Sequence, residues 1–213
     1  YTAFDAGFSM RSRGLGLILM TPVSGKLFNK LGPKILVGFG LILVIISLLI
    51  FATLNLNVSF WYICIPQFLQ GAGFGFIFVA LNTSVLLTID KKDLTAVTGM
   101  YYTFRLIMGS IGIALVATLA DHGINMYYSS LTPYVSIFNR GTLEYIAKLE
   151  KHFSMPFTTA INSKLKEIIN AVVIKQAQML SYNHVFFYLM LLFIACLPLI
   201  IFLKGLKDLE KNK

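Results

Sequence analysis

Polar positions along this chain are confined to a few connectors, and between them the sequence is apolar on every side of a helix. The apolar runs extend from Ala6 to Phe28, Ile35 to Leu54, Phe60 to Thr88, Thr98 to Ala120 and Val185 to Leu203. A helix that is apolar all round is buried in protein or bathed in lipid. A bilayer core about 30 Å thick takes roughly 20 residues at about 1.5 Å rise each. Every run is of about that length, so the pattern predicts five membrane-spanning helices. Between the fourth and the fifth the pattern changes. Ile161, Leu165, Ile168, Val172 and Met179 recur at spacings of four, three, four and seven, the stripe of an amphipathic helix. Leu143, Ile146, Leu149 and Phe153 make a shorter second stripe. Such helices cap a membrane interface, pack back on the spans or offer a docking face to another protein. The chain therefore divides into four spans over residues 1–120, an exterior segment over 121–184, a last span over 185–204 and a tail over 205–213.

Composition agrees with the pattern. Of the 213 residues, 57% are hydrophobic and 13% charged, and the mean hydropathy is +0.77, which is membrane-protein composition. The net charge of +9 is placed by topology. Lys26, Lys30 and Lys34, then Lys91 and Lys92, then Lys204, Lys207, Lys211 and Lys213 fall at alternate ends of successive spans, hence on one side of the membrane. Short lysine-bearing connectors stay in the cytoplasm, whereas the uncharged connector NLNVS at 55–59 lies opposite. This accounts for the basic balance without nucleic acid as a partner. The C-terminus is then cytoplasmic and Tyr1 exterior, and a membrane segment upstream of Tyr1 is expected.

Few residues have the types and spacing that chemistry needs. Cys64 and Cys196 sit inside apolar runs as small apolar side chains. His122, His152 and His184 are scattered without metal-ligand spacing, and no acid, base and nucleophile are placed to meet. No catalytic residue and no metal site are expected, and the chain does not read as an enzyme. The polar residues inside spans are more informative. Arg105 lies in TGMYYTFRLIMGSIGIALVATLA, where a charge on a lone span costs from about 2.5 to over 10 kcal/mol, so such residues face a protein interior or a wet cavity, or snorkel to the headgroups. Tyr101, Arg105, Gly109 and Gly112 follow at four, four and three residues, and so share a face suited to close approach by another helix near a polar cleft. Arg13 in the first span is deep enough to need water or a partner, while Arg11 reaches the interface and Asp5 is near both. Gly14, Gly16 and Pro22 permit a kink in that span. Gln67, Gln70, Asn82 and Thr83 interrupt the third span, where the open readings are interhelical hydrogen bonding and substrate contact. Gly71, Gly73 and Gly75 lie inside this span with no strand before them, so they indicate tight helix packing rather than a nucleotide loop.

Three segments carry a family resemblance. The connector GKLFNKLGPK resembles the G-x-L-x-D-x-x-G-x-[RK] cytoplasmic signature of the major facilitator superfamily: Gly25, Leu27, Gly32 and Lys34 match, and Asn29 replaces the acidic residue, with Lys26 and Lys30 in the same loop. The stretch AGFSMRSRGLGLILMTPVSGKLF is similar to AG-x-x-x-x-PRGLG…P-x-x-G-[RK]-L of the drug:proton antiporter branch with fourteen spans, the EmrB/QacA type, with Ser12 in place of the proline. FRLIMGSIGIALVATLA resembles that branch's R-x-x-G-[GS]-x-G-x-A helix, and the long exterior segment ending in IKQAQMLSYNHVFF is also typical of it.

The resemblance implies an all-α membrane protein, the C-terminal helical bundle of the major facilitator fold, with five transmembrane helices plus a long exterior helical segment. It implies secondary active transport by alternating access around a midplane cavity, in a bacterial inner membrane, with proton-coupled multidrug efflux as the expected activity and the proton gradient in place of any cofactor. Implied partners are the lipid bilayer, a small amphipathic substrate and the missing N-terminal half of the same transporter; a periplasmic adaptor protein is a further candidate, for the exterior segment. The substrate-cavity residues would be Arg105, Tyr101, Arg13, Gln67, Gln70 and Asn82, with Arg13 matching the arginine of the family's PRG. Gly71, Gly73, Gly75, Gly109 and Gly112 would serve helix packing. The alternatives are a carrier of the same architecture for a defined metabolite or siderophore, and a non-transporting scaffold or receptor on the same fold.

Overall fold

A computed structural model describes residues 3–55, 58–89, 92–135 and 159–202. Their regular structure consists of helix α1 (Ala3–Ala52), α2 (Phe60–Thr88), α3 (Leu94–Leu131) with a 3-10 turn at Thr132–Val135, and α4 (Thr159–Cys196), which runs into a 3-10 turn at Leu197–Phe202. All four helices are long and apolar enough to cross a membrane.

Helix α1 holds two of the five expected spans, separated at a single residue. Gly32 has φ 77° and ψ 168°, a backbone conformation used almost only by glycine. Pro33 enforces the break, because it disfavours the helical conformation in the residue before it. Pro33 then starts the next arm, where its missing N–H leaves no bond unmade. The connector expected over 25–34 is accordingly helical up to Leu31 and again from Pro33. Nothing in GKLFNKL breaks a helix, so the first arm continues past its apolar run, with Gly25, Lys26, Asn29 and Lys30 exposed on its last turns. At the start of the second arm, Lys34 Nζ donates to the Ile201 carbonyl at 3.1 Å.

The chain forms two compact units, one of residues up to Ile113 together with those from Phe186, the other Ala114–Val185. In the first, both arms of α1 pack on α2 in opposite senses. Along the first arm the contacts advance with α2: Gly71 abuts the Arg13 carbonyl, a Cβ on Gly75 would lie 3.3 Å from Met20 Cβ, and Ser24 Oγ donates to the Phe76 carbonyl. Along the second arm they run backwards: Gly40 faces Gly73 and Ile77, and Ser47 Oγ donates to the Pro66 carbonyl at 2.7 Å. The three segments thus run up, down and up. A core of Phe28, Leu36, Val37, Leu41, Phe76 and Ala80 fills the space between them, joined by Phe193 of α4 and by Leu197 and Ile200 of the 3-10 turn that follows it. Val44, Leu48 and Met190 make a second cluster, beside which Phe51 stacks on Phe186 with centroids 5.1 Å apart.

In the second unit the end of α3 and the beginning of α4 pair antiparallel. Ser181 Oγ donates to the Ala120 carbonyl at 2.7 Å, Gly123 abuts Ser181, and Tyr128 Oη donates to Asn170 Oδ1 at 2.8 Å. Helix α3 runs eleven residues beyond Ala120, to Leu131, with no proline in that stretch to stop it, and α4 starts at Thr159 and enters the last span without interruption. On α4, Val173, Ala177, Ser181 and Val185 are buried, whereas Val172 is exposed and Met179 half-buried. Small residues on the buried face let α3 come close. The side chains of Ile161, Leu165 and Ile168, like Leu143, Ile146, Leu149 and Phe153, lie outside the described residues.

Candidate functional site

The site begins with two glycine contacts. A Cβ on Gly16 would meet the Phe68 carbonyl and the Ala72 nitrogen, and one on Gly71 would meet the backbone of Arg13. Side chains this small let the first arm of α1 lie directly on α2. Arg13 is thereby held one turn from Phe74, whose ring centroid is 5.2 Å from its guanidinium carbon. One helical turn further along α2, Phe78 takes the second cation: the Arg105 guanidinium of α3 stands 4.4 Å from that ring centroid. Phe74 and Phe78, four residues apart, present two aromatic faces on one side of α2. Arg11 sits over Phe8 at 5.7 Å, outside this group.

Together these helices border a half-open cavity of about 470 Å³ lined by Arg13, Leu17, Phe74, Ile77, Phe78, Leu81, Asn82, Tyr101 and Arg105. That volume suits a drug-sized molecule. The walls are apolar and aromatic except for two guanidiniums, a phenol and an amide. No carboxylate occurs among these lining residues. Both arginines are exposed, and that exposure is energetically required. A cation over an aromatic face is worth about 0.5–2 kcal/mol, too little to offset burial of a full charge without water or a counter-ion. The Asn82 Oδ1 atom is buried without a hydrogen-bond partner among the described residues.

The structure therefore brings Arg13, Asn82, Tyr101 and Arg105 to one cavity and leaves Gln67 and Gln70 out of its lining. Both glutamines are half-buried on α2, and Gln67 Oε1 lacks a partner among the described residues. The glycines divide in the same way. Gly71, Gly73 and Gly75 sit at helix crossings, with the Gly40 carbonyl 2.7 Å from a Cβ placed on Gly73. A Cβ on Gly109 or Gly112 would meet nothing within 4 Å, so the packing role expected of these two is not met by any helix of the described residues. Cys64 and Cys196 are free thiols. The residues that sequence reasoning passed over are Leu17, Phe74, Ile77, Phe78 and Leu81. Their signal was the aromatic pair at i and i+4 in FGFIF, one turn past the packing glycines.

Comparison with known proteins follows this geometry. The profile of the Major Facilitator Superfamily matches residues 1–207. The chain is 24% identical over its whole length to an uncharacterized transporter of this type, YhcA, of Bacillus subtilis, covering 40% of that protein. It is 27% identical to the multidrug export protein EmrB of Escherichia coli over 96% of the chain and 39% of EmrB. It is also 25% identical to the probable multidrug resistance protein EmrY of Escherichia coli, over 96% of the chain and 39% of EmrY. The chain thus spans about two fifths of the length of these relatives. No solved structure matches it.

Proposed function

This chain belongs to the major facilitator superfamily, and from that premise we propose that it forms part of a secondary transporter that exports amphipathic small molecules by alternating access. The observation that carries the reading is the cavity: three helical segments border a half-open, drug-sized, largely apolar space lined also by Arg13, Asn82, Tyr101 and Arg105. A rocking carrier needs such a site between helices that can part without unfolding, near the middle of the membrane. The multidrug names of EmrB and EmrY support efflux as the direction.

The same reading places the protein in a bacterial inner membrane with its lysine-rich ends in the cytoplasm. The bond from Lys34 to the carbonyl of Ile201 supports it, because two predicted cytoplasmic ends meet there. We assign the energy source to the proton gradient and the proton-exchanging carboxylates to other parts of the full-length carrier, since none lines this cavity among the described residues. A periplasmic adaptor remains part of this proposal, as the partner of the segment between α3 and α4.

The test uses energised inverted vesicles carrying the complete polypeptide. Arg105→Ala is expected to lower dye efflux by about tenfold or more, the equivalent of about 1.4 kcal/mol, with the amount of inserted protein unchanged. Equal efflux by variant and parent would remove Arg105 from any working role.

A further inference from the structure

We propose that Asn82 and Tyr101 form a latch between α2 and α3: the Tyr101 hydroxyl donates to Asn82 Oδ1 when the cavity closes at the end nearest the α2–α3 connector, and in the structure this bond is open. The proposal rests on the carrier reading above and adds a closing contact to it. Its ground is an acceptor that the present arrangement leaves unsatisfied. Asn82 lines the cavity, and its Oδ1 atom is buried with no hydrogen-bond partner among the described residues, a condition that costs free energy until a donor arrives. That oxygen has almost no exposed surface, so a group from elsewhere in the full-length carrier reaches it only after this chain itself rearranges. A donor in the chain's own wall has first access.

Helix register identifies that donor. Besides Asn82 itself, the lining residues with side-chain N–H or O–H groups are Arg13, Arg105 and Tyr101. Both arginines are engaged elsewhere, Arg13 over Phe74 at 5.2 Å and Arg105 over Phe78 at 4.4 Å. Phe74, Phe78 and Asn82 follow one another at steps of four along α2, and so succeed each other on one side of it. Phe78 lies ten residues before the end of α2 and Arg105 eleven after the start of α3, so their contact sets an antiparallel register across the connector. Four residues nearer the connector on each helix, the same register brings Tyr101 level with Asn82. The half-open cavity lies between the two, which leaves the turn carrying Tyr101 room to approach. Closing then satisfies the buried oxygen in a low-dielectric site, where the bond gains strength. Reopening breaks one neutral hydrogen bond, a cost small enough for a carrier that has to leave the closed form again.

The test uses the complete transporter. Tyr101→Phe removes the donor and Asn82→Leu the acceptor, each at nearly unchanged volume. Either is expected to lower dye efflux in energised inverted vesicles by about fivefold, the fold-change of one hydrogen bond. The combined variant should lose no more than either alone, because both changes remove the same bond. Losses that multiply to about twenty-five-fold would show two independent roles and overturn the latch, as would two single variants as active as the parent. Equal thermal midpoints of parent and variants in detergent show that the loss is not one of folding. Proximity is read separately by cross-linking, with every other cysteine replaced by alanine. Asn82→Cys combined with Tyr101→Cys should be bridged by a short bifunctional thiosulfonate, seen as the bridged peptide in mass spectrometry. Asn82→Cys combined with Tyr102→Cys, whose second site is exposed, should not. Equal bridging of both pairs, or none in the first, overturns the latch. Because bridging needs no flux, the two readings fail separately: a bridged first pair in a protein that moves no dye would retain the latch and remove the carrier, and dye movement with the first pair never bridged would do the reverse.

Discussion

Helices α2 and α3 are both apolar enough to span a membrane, yet 44% of the residues in the most apolar window of α2 are buried by protein and only 6% in that of α3. Hydrophobicity does not separate them, because in lipid an apolar side chain gains little by leaving one apolar neighbour for another. What separates them is how closely a neighbouring backbone can come. On α2, Gly71, Gly73 and Gly75 each meet an arm of α1 at van der Waals distance or closer. On α3, Gly109 and Gly112 face open space, and Met100, Leu106 and Ile113 stand 77%, 73% and 73% exposed. The part of α3 that does reach the other helices of its unit is the turn bearing Tyr101 and Arg105, which lines the cavity. One helix is scaffold along its length; the other touches the scaffold where its polar residues are.

That contrast can be broken most severely at Gly71. Gly71→Leu drives a side chain into the backbone of Arg13, where neither helix can yield, and overpacking of this kind costs about 3 kcal/mol or more. The expected result is loss of monodisperse full-length protein in size-exclusion chromatography; recovery of a normal peak would mean that the helix crossing is not tight.

Gly32→Ala should come next. It places a Cβ on a residue at φ 77°, for a cost of about 1–3 kcal/mol, read as a lowered thermal midpoint in detergent. Gly25→Ala, in an open helical position seven residues earlier, is its matched control and should leave the midpoint in place.

Ser47→Ala is smaller again. Removing the hydroxyl that donates to the Pro66 carbonyl should cost about 1 kcal/mol, seen as a shift of a few degrees. An unchanged midpoint would show that this buried bond adds nothing to the α1–α2 crossing.

The smallest stability change belongs to Gly112→Ala, where the new methyl meets nothing and the helix propensity gain is at most about 1 kcal/mol. The same substitution sharpens the comparison when transport is measured beside stability. Lost flux at full stability would mean that the open face of α3 meets another surface during the working cycle; a large loss of stability would mean that this face is packed in the assembled protein.

Much of this architecture was readable without coordinates because it depends on short-range rules. An apolar run of bilayer length must close its backbone hydrogen bonds within itself, so the five spans follow from composition. The glycines of GAGFG announce a close crossing. Arg13, Asn82, Tyr101 and Arg105 stood out because polar groups in a span are costly, and that cost is local. Other features were settled only by which helices touch. Neither the meeting of Arg13 with Phe74 nor that of Arg105 with Phe78 has a signature in the chain, since the partners are separated by 61 and 27 positions. The same holds for the exclusion of Gln67 and Gln70 from the cavity, for the choice of Ala177 and Ser181 over Val172 as the buried face of α4, and for the contrast between Gly71 and Gly112. Sequence states what each residue costs in hydrocarbon, while tertiary packing decides which neighbour meets that cost, because contact depends on the distance between backbones rather than on the identity of any one side chain.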